Sequence, residues 1–532
     1  MITVNDLGLY FGSQKLFDRV DVQFTAGNCY GIIGANGAGK STFLRVISGE
    51  VESSSGSVSI QPDVRMTVLK QDQEMFNDYS VLETVMMGNA PLYKCLQEKD
   101  AIYAKEDFTD EDGMRAAELE EEFAAMGGWE AESEIAQMLV GLGIAIPLHE
   151  KQMTDLTARQ KVKVLLANAL FGRPDIILLD EPTNNLDIDS VVWLEEFLLD
   201  YEGTVLVVSH DRYFLNTVCT HIVDIDFAKI KLYVGNYDFW YESSQLIQKL
   251  TKEQNKKAED KIKALQEFVQ RFSANKSKSR QATSRKKLIE KLSIEELPAS
   301  SRRYPWVGFK AERELGKDIL QADGLSKSLD GKILLNGVDI LLSKGDKVAI
   351  IGENELAITN LFEILAEQSE PDSGEFKWGV TTSRTYFPRD HSAYFEEAVS
   401  LVDWMRQYSE DKRESYVRQF LGRMLFSGDD VYKLVNVLSG GEKVRCMLSK
   451  MMLSGANVLL FDQPTNHLDM ESIAALNSGL EAFDGVVLFT THDHQLIQTV
   501  ANRIIEVCDD GTIIDRKMSY DEYVANRRAE KA

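Results

Sequence analysis

No stretch of about 18 uncharged apolar residues occurs in the chain, so nothing in it is long enough to cross a bilayer as a helix. The opening residues, MITVNDLGLYFG, lack a basic segment followed by an apolar core, and no secretory signal is expected. Cysteine is scarce. Cys29, Cys95, Cys219, Cys446 and Cys508 are widely scattered over 532 residues, which excludes paired zinc spacing and a dense disulfide framework. Positive charge is in deficit, 59 Lys and Arg against 84 Asp and Glu, for a net charge of −25. That balance excludes an evenly basic nucleic-acid coat but leaves room for a local basic patch. With 44% apolar and 27% charged residues, the chain has the makings of sizeable cores and is not a disordered polyelectrolyte. A soluble, cytoplasmic, multidomain protein of a reducing compartment is expected.

What the chain does contain is a repeat of itself. GIIGANGAGKST (31–42) returns as AIIGENELAITN (349–360), and LLDEPTNNLD (178–187) as LFDQPTNHLD (460–469). LTARQKVKVLLANAL (156–170) returns as LSGGEKVRCMLSKMM (438–452), and VVSHDR (207–212) as FTTHDH (489–494). The offset is 318 at Gly34 and Gly352, but 282 at Leu156 and Leu438, Asp180 and Asp462, and His210 and His492. The first copy therefore carries 36 extra residues between its early and late motifs, placed at about 91–134. EDFTDEDGMRAAELEEEFAAM in that stretch favours a helix, ended by Gly127 and Gly128. An acidic, arm-like helical insertion is expected, either a solvated face or a partner-touching arm.

The copies are joined by a segment of different character. Residues 242–303 contain no Gly, a single Pro (Pro298), and 16 basic against 8 acidic residues. Ile262, Leu265, Val269 and Phe272 recur on one helical face, and Leu288 and Leu292 suggest a second, shorter helix. Between them Lys276, Lys278, Arg280, Arg285, Lys286 and Lys287 occur without an acid. The expected organisation is a domain at 1–241, a basic helical hairpin at 242–303, and a second domain at 304–532.

The chemistry is concentrated in the first copy. An apolar strand signal, CYGII, runs into GIIGANGAGKST and then into a helical pattern, FLRVIS, the context a phosphate-cradling loop needs. Gly34, Gly37 and Gly39 let backbone N–H groups close on phosphate oxygens at the positive end of a helix. Lys40 is placed to reach the outer phosphates and Ser41 to ligate Mg²⁺. Ile176 to Leu179 read as a buried strand ending in Asp180, suited to the Mg²⁺ shell, and Glu181, suited to polarising water. TVLVVSH is another buried strand ending at His210, and Gln71 follows VRMTVLK. Alone, His210 would more often be structural; its place in the ordered set makes it a candidate for the γ-phosphate, as Gln71 is.

Phosphate loop, Gln71, signature helix, Asp180–Glu181 and His210, all repeated and with LSGGE in the second copy, resemble tandem ATP-binding-cassette domains. The fold class implied is α/β, two such P-loop domains joined by a charged helical linker. Two cassettes on one chain with no membrane domain resemble the ABC-F subfamily, and ASSRRYPWVGF, the arm-like insertion and the short hairpin fit its YbiT-like bacterial branch. The resemblance implies a Mg²⁺-dependent ATPase. It also implies ribosome binding in an ATP-closed form, with the hairpin directed at the transfer RNA in the peptidyl site and at ribosomal RNA, and a monomer that pairs its own cassettes.

The same resemblance implies two composite sites, each using one domain's phosphate loop and the other's signature helix. The first would combine Gly34, Asn36, Gly37, Gly39, Lys40, Ser41, Thr42, Gln71, Asp180, Glu181 and His210 with Ser439, Gly440 and Gly441; Phe11 would stack on adenine. Every part is intact. In the second, Gly352, Thr359, Asp462 and His492 survive. Ile358, however, replaces the lysine, Glu355 and Ala357 replace glycines, and Gln463 replaces the water-orienting carboxylate. Arg389 aligns with Gln71, Leu329 with Phe11, and the opposing signature reads LTARQ, with Ala158 and Arg159 at the glycine positions. Gln463 alone would suit an engineered trap; the other losses beside it point to natural decay. Hydrolysis is expected at the first site only.

Rival readings are an ATPase subunit of a membrane transporter, a DNA-repair or chromosome-organising ATPase, and an antibiotic-resistance ribosomal protection protein. A basic interdomain hairpin has no obvious use in the first. Zinc ligands or a far longer coiled coil would mark the second, and a longer hairpin tip the third.

Overall fold

The computed structural model describes residues 1–11, 14–35, 37–184, 186–272, 302 and 304–531. The chain divides into two compact units, Met1–Pro62 with Leu215–Ser301 and Asp63–Phe214 with Arg302–Ala532.

In the first unit, strand Ile2–Phe11 lies between Gln14–Phe24 and Ser55–Ile60 in an antiparallel sheet. Ile2, Val4, Leu7 and Leu9 bury one side of it against Phe17, Val20 and Phe24. Strand Asn28–Gly34 runs parallel to His221–Asp226, which pairs antiparallel with Lys229–Val234. Its nearly continuous burial is that of a strand covered on both faces. The chain turns through Gly37 and Gly39 into helix Lys40–Ile47. A second helix, Tyr237–Phe272, is 36 residues long. It is anchored at its start by Trp240, whose Nε1 donates to Asp224 Oδ2 at 3.2 Å, and by Asn216 Oδ1, which accepts the Asp238 N–H at 2.9 Å. The apolar face expected at Ile262, Leu265, Val269 and Phe272 falls within this helix, which begins at Tyr237 and so runs through residue 242. The second hairpin helix and the basic residues Lys276, Lys278, Arg280, Arg285, Lys286 and Lys287 lie outside the described residues.

The second unit holds the rest of the first copy and all of the second. Strands Met66–Val68, Ile176–Asp180 and Thr204–Val208 are parallel neighbours. Two helices lie in the stretch of the extra residues. Ala90–Tyr103 and Asp110–Ala125 pack on one another, and Arg115 reaches across to Glu98 at 2.9 and 3.1 Å. Thr109 and Asp112 form a capping box at the second helix, and Gly127, at φ +72°, follows its end.

The second copy is a doubly covered sheet in the order Arg384–Phe387, Val458–Asp462, Val486–Thr490, Lys347–Gly352, Arg503–Val507, Ile513–Arg516; all but the last strand run parallel. A smaller antiparallel sheet, with Leu320–Leu329 between Lys332–Leu342 and Ser373–Trp378, matches that of residues 2–60 strand for strand. Leu329 ends its strand as Phe11 ends its own. No helix among the described residues is long and apolar enough to cross a membrane.

Candidate nucleotide site and its divergent copy

In the first unit the phosphate loop is folded around its lysine. Gly37 and Gly39 take φ of +80° and +97°, a left-handed backbone that residues with side chains rarely adopt. Lys40 is only 8% exposed, and its Nζ donates back to the carbonyls of Gly34 at 2.8 Å and Ala35 at 3.3 Å. Gly34 must be glycine for a packing reason: a Cβ there would lie 2.6 Å from the Ile225 carbonyl oxygen. Ser41 and Thr42 fall in the first turn of helix Lys40–Ile47, whose cap Gly39 offers no side chain to its N–H groups. Loop amides, one ammonium and a hydroxyl form a donor set that fits a nucleotide's phosphates. Asn36 lies outside the described residues.

In the second unit, the strand ends bring four of the sequence-selected side chains into two contacts. Gln71 Nε2 donates to Asp180 Oδ2 at 3.2 Å, which sets side by side two side chains whose oxygens suit a hard cation such as Mg²⁺. Glu181 sits at φ +52°, and its N–H is held by the Val208 carbonyl at 2.8 Å. Its carboxylate accepts the backbone N–H of His210 at 3.2 Å and lies 3.4 Å from His210 Nε2. Turn geometry thus aims the base candidate at the histidine candidate. The signature helix Gly440–Leu453 is capped by Ser439, whose Oγ accepts the Glu442 N–H, while Glu442 Oε2 accepts the Ser439 N–H at 2.8 Å. Glycine is required at 441, where a Cβ would stand 2.9 Å from the His467 carbonyl oxygen.

The divergent copy keeps the frame and changes the contents. Gln463 has the same left-handed backbone as Glu181, φ +54°, and its N–H bonds to Thr490 O at 3.0 Å. Thr359 Oγ1 donates to Asp462 Oδ2 at 2.7 Å; burial, the largest influence, pushes the Asp462 carboxyl up to about 6. The Glu355 charge stands at a glycine position of the phosphate loop. The structure gives that carboxylate partners of its own. Arg389 Nη2 lies 2.5 Å from Glu355 Oε2, His492 Nε2 lies 3.1 Å from Oε1, and Arg159 Nη2 pairs with Oε1. Arg159 Nη1 also donates to the Glu353 carbonyl at 3.1 Å. A donor set with no lysine and with a carboxylate at its centre does not fit a nucleotide triphosphate.

One grouping had no signal in the spacing. Cys29 and Cys219, 190 positions apart, are both buried with sulfurs 3.8 Å apart beside strand Asn28–Gly34. Burial, the largest influence, pushes the Cys219 thiol up, which disfavours the reactive thiolate.

Family models described as ABC transporter match residues 17–184 and 335–466, and 223–307. The chain is 62% identical to YkpA of Bacillus subtilis (strain 168), an uncharacterized ABC transporter ATP-binding protein, over 100% of this chain and 98% of that one. It is 42% identical to YbiT of Escherichia coli O157:H7, a probable ATP-binding protein, over the full length of both. It is 30% identical to EttA of Escherichia coli O6:H1, an energy-dependent translational throttle protein, over 96% of this chain and 92% of that one. Among solved structures, the complex of the archaeal ribosomal stalk protein aP1 with the archaeal ribosome recycling factor aABCE1 contains a chain of like fold. Its TM-score is 0.62 over 98% of this chain and 92% of that one, at 17% identity.

Proposed function

The chain belongs to the ABC-F subfamily of ATP-binding-cassette proteins and is an ATPase, and from that premise we propose that it is a cytoplasmic translation factor, binding the ribosome in its ATP-closed form. The observation that carries this reading is the end-to-end likeness to EttA, a translational throttle protein. The 36-residue helix Tyr237–Phe272 supports it, since it leads directly into the basic stretch Lys276–Lys287.

The proposed organisation is a first cassette at 1–241, a basic interdomain segment at 242–303, and a second cassette at 304–532, acting as a monomer. A bound nucleotide would bring a γ-phosphate to be transferred to water, and Mg²⁺ would supply neutralising charge on it. Lys40 and the loop amides bind the phosphates, with Asn36 and Thr42 in the same loop and Phe11 at the adenine. Ser41, Asp180 and Gln71 would hold Mg²⁺. Glu181 accepts a proton from the attacking water, and His210 orients the γ-phosphate. Ser439, Gly440 and Gly441 complete the site from the second cassette. Hydrolysis takes place only here, because Gln463 is no base near neutral pH and the second loop lacks its cation. The basic residues 276–287 meet RNA phosphate, in peptidyl-site transfer RNA and ribosomal RNA.

Ribosome co-sedimentation of the Glu181→Gln protein, with ATP and without it, tests this reading. ATP-dependent pelleting is expected. If all six basic residues contact phosphate, affinity falls about 10³-fold between ~50 and ~200 mM salt. A protein that stays in the supernatant with ATP at low salt is not a ribosome-binding factor.

A further inference from the structure

The second site is a filled copy of the first rather than a weakened one. With Glu355 and Ala357 at the positions of Gly37 and Gly39, the helix begins at Glu355, whereas in the first copy it begins at the lysine. The positions that turn through left-handed backbone in one copy are thus the first turn of a helix in the other. Asn354 caps that turn. Its Oδ1 accepts the Ala357 N–H at 3.1 Å and its carbonyl accepts the Ile358 N–H at 3.2 Å. Amides that would cradle a phosphate are consumed inside the protein. Ile358 is 3% exposed and joins the apolar core with Ile350, Leu361 and Leu365, so no cation stands at the lysine position.

The carboxylate of Glu355 occupies this altered place, and its three partners are the informative part. Arg159 comes from the signature loop of the first copy, Arg389 from the position of Gln71, and His492 from the position of His210. Their counterparts in the first copy's site are Gly441, Gln71 and His210, all three placed around the phosphate end of the nucleotide in the function proposed above. The His492 hydrogen bond, joined against burial by the charges of Arg159 and Arg389, holds the Glu355 carboxyl down at about 2. The cavity left beside the cluster measures about 250 Å³, below the ~300 Å³ at which small-molecule sites begin.

We infer that Glu355 is a built-in anion standing where the other site takes a terminal phosphate, and that it latches the signature loop at Thr157–Gln160 to the segment Gly352–Glu355 without any nucleotide. Both segments belong to the second unit. One signature loop is then held permanently, while the other, at Ser439–Gly441, is engaged and released by ATP. This deepens the single-site reading and rests on it for the number of nucleotides bound.

The test uses the isolated full chain with nitroxide labels at Thr154→Cys and Gln368→Cys, exposed positions on either side of the latch, in a Cys508→Ser background. Electron–electron distance measurement is expected to give one narrow distribution, unchanged by ATP and Mg²⁺. Glu355→Gln removes the anion, and Arg159→Gln removes its partner across the latch while leaving Arg389 and His492 in place. Either variant is expected to shift the distribution to longer distances, with no recovery on adding ATP. Should Glu355→Gln not fold, Arg159→Gln decides. Equilibrium binding of ATP to the Glu181→Gln protein is expected to saturate at one per chain. A wild-type distance that narrows only with ATP, a variant that keeps the wild-type distance, or two ATP bound per chain overturns the latch. Failure of ribosome pelleting with these distances intact overturns the translation reading and leaves the latch standing.

Discussion

In the Glu181→Gln protein, steady-state phosphate release is expected to fall about 10²–10⁴-fold, the range a general base contributes, while ATP binding is retained. The substitution is nearly isosteric, and the chain itself shows that the fold accepts it. Gln463 occupies the corresponding turn with φ +54° against +52° at Glu181, and both backbone N–H groups bond to the neighbouring strand, at Thr490 and Val208. Loss of turnover therefore reports chemistry and not misfolding. The carboxylate of Glu181 lies against the backbone N–H and imidazole of His210, a geometry an amide can occupy without being able to take a proton from water. Because the second copy already carries glutamine here and no loop lysine, it is not expected to compensate. Residual turnover above a tenth of the wild-type rate would mean that the second site hydrolyses ATP, and the asymmetric assignment would fail.

Much of this was legible in sequence because each motif is local. A buried strand ending in acids, as at Ile176–Asp180, or an acidic run between a capping Thr109 and Gly127, encodes its own structure within about ten to twenty residues. The ordered spacing of the motifs carried the fold class, and the 318 and 282 offsets placed the helical insertion. What sequence could not show was complementarity between departures. Arg159, Arg389 and Glu355 each read as a separate defect, since an arginine in a signature loop or a glutamate in a phosphate loop harms nucleotide binding on its own. Only the fold brings positions 159, 355, 389 and 492 together, and there the defects neutralise one another. The earlier start of the helix at Glu355 was hidden for a related reason. Losing Gly37 and Gly39 equivalents was visible, but the backbone's response depended on Asn354 being free to cap the new turn. The sulfur contact of Cys29 with Cys219 is likewise a product of strand pairing at long range.

Arg503→Ala is expected to destabilise the second cassette by about 3 kcal/mol, the lower end of the range for breaking a buried ion pair from one side. Arg503 begins the strand beside Lys347–Gly352, and its side chain is 5% exposed. Its Nη1 donates to Asp346 Oδ2 at 2.7 Å and to the Leu341 carbonyl at 2.9 Å. Its Nε donates to Asp515 Oδ1 at 2.8 Å, and Nη2 pairs with the other oxygen of Asp515. One guanidinium thus ties the end of one sheet to two strands of the other, and its removal takes this counterion from both Asp346 and Asp515. Asp515 is 31% exposed, so water screens part of that loss, which places the effect at the low end. Arg384→Ala is the internal control. Arg384 makes a bidentate pair with Glu367 at 2.9 and 3.1 Å, but Glu367 is 57% exposed, and such a surface pair contributes at most ~1 kcal/mol. Urea unfolding followed by far-ultraviolet circular dichroism separates the two, a readout that the contact of Arg384 with the Trp378 ring does not disturb. Equal midpoint shifts for the two variants would mean that contact geometry, and not burial, sets the strength of these pairs. Because strand Lys347–Gly352 feeds directly into the latch at Glu355, loosening at Arg503 is also expected to broaden the Thr154–Gln368 distance, whereas loss of Arg384 leaves it unchanged.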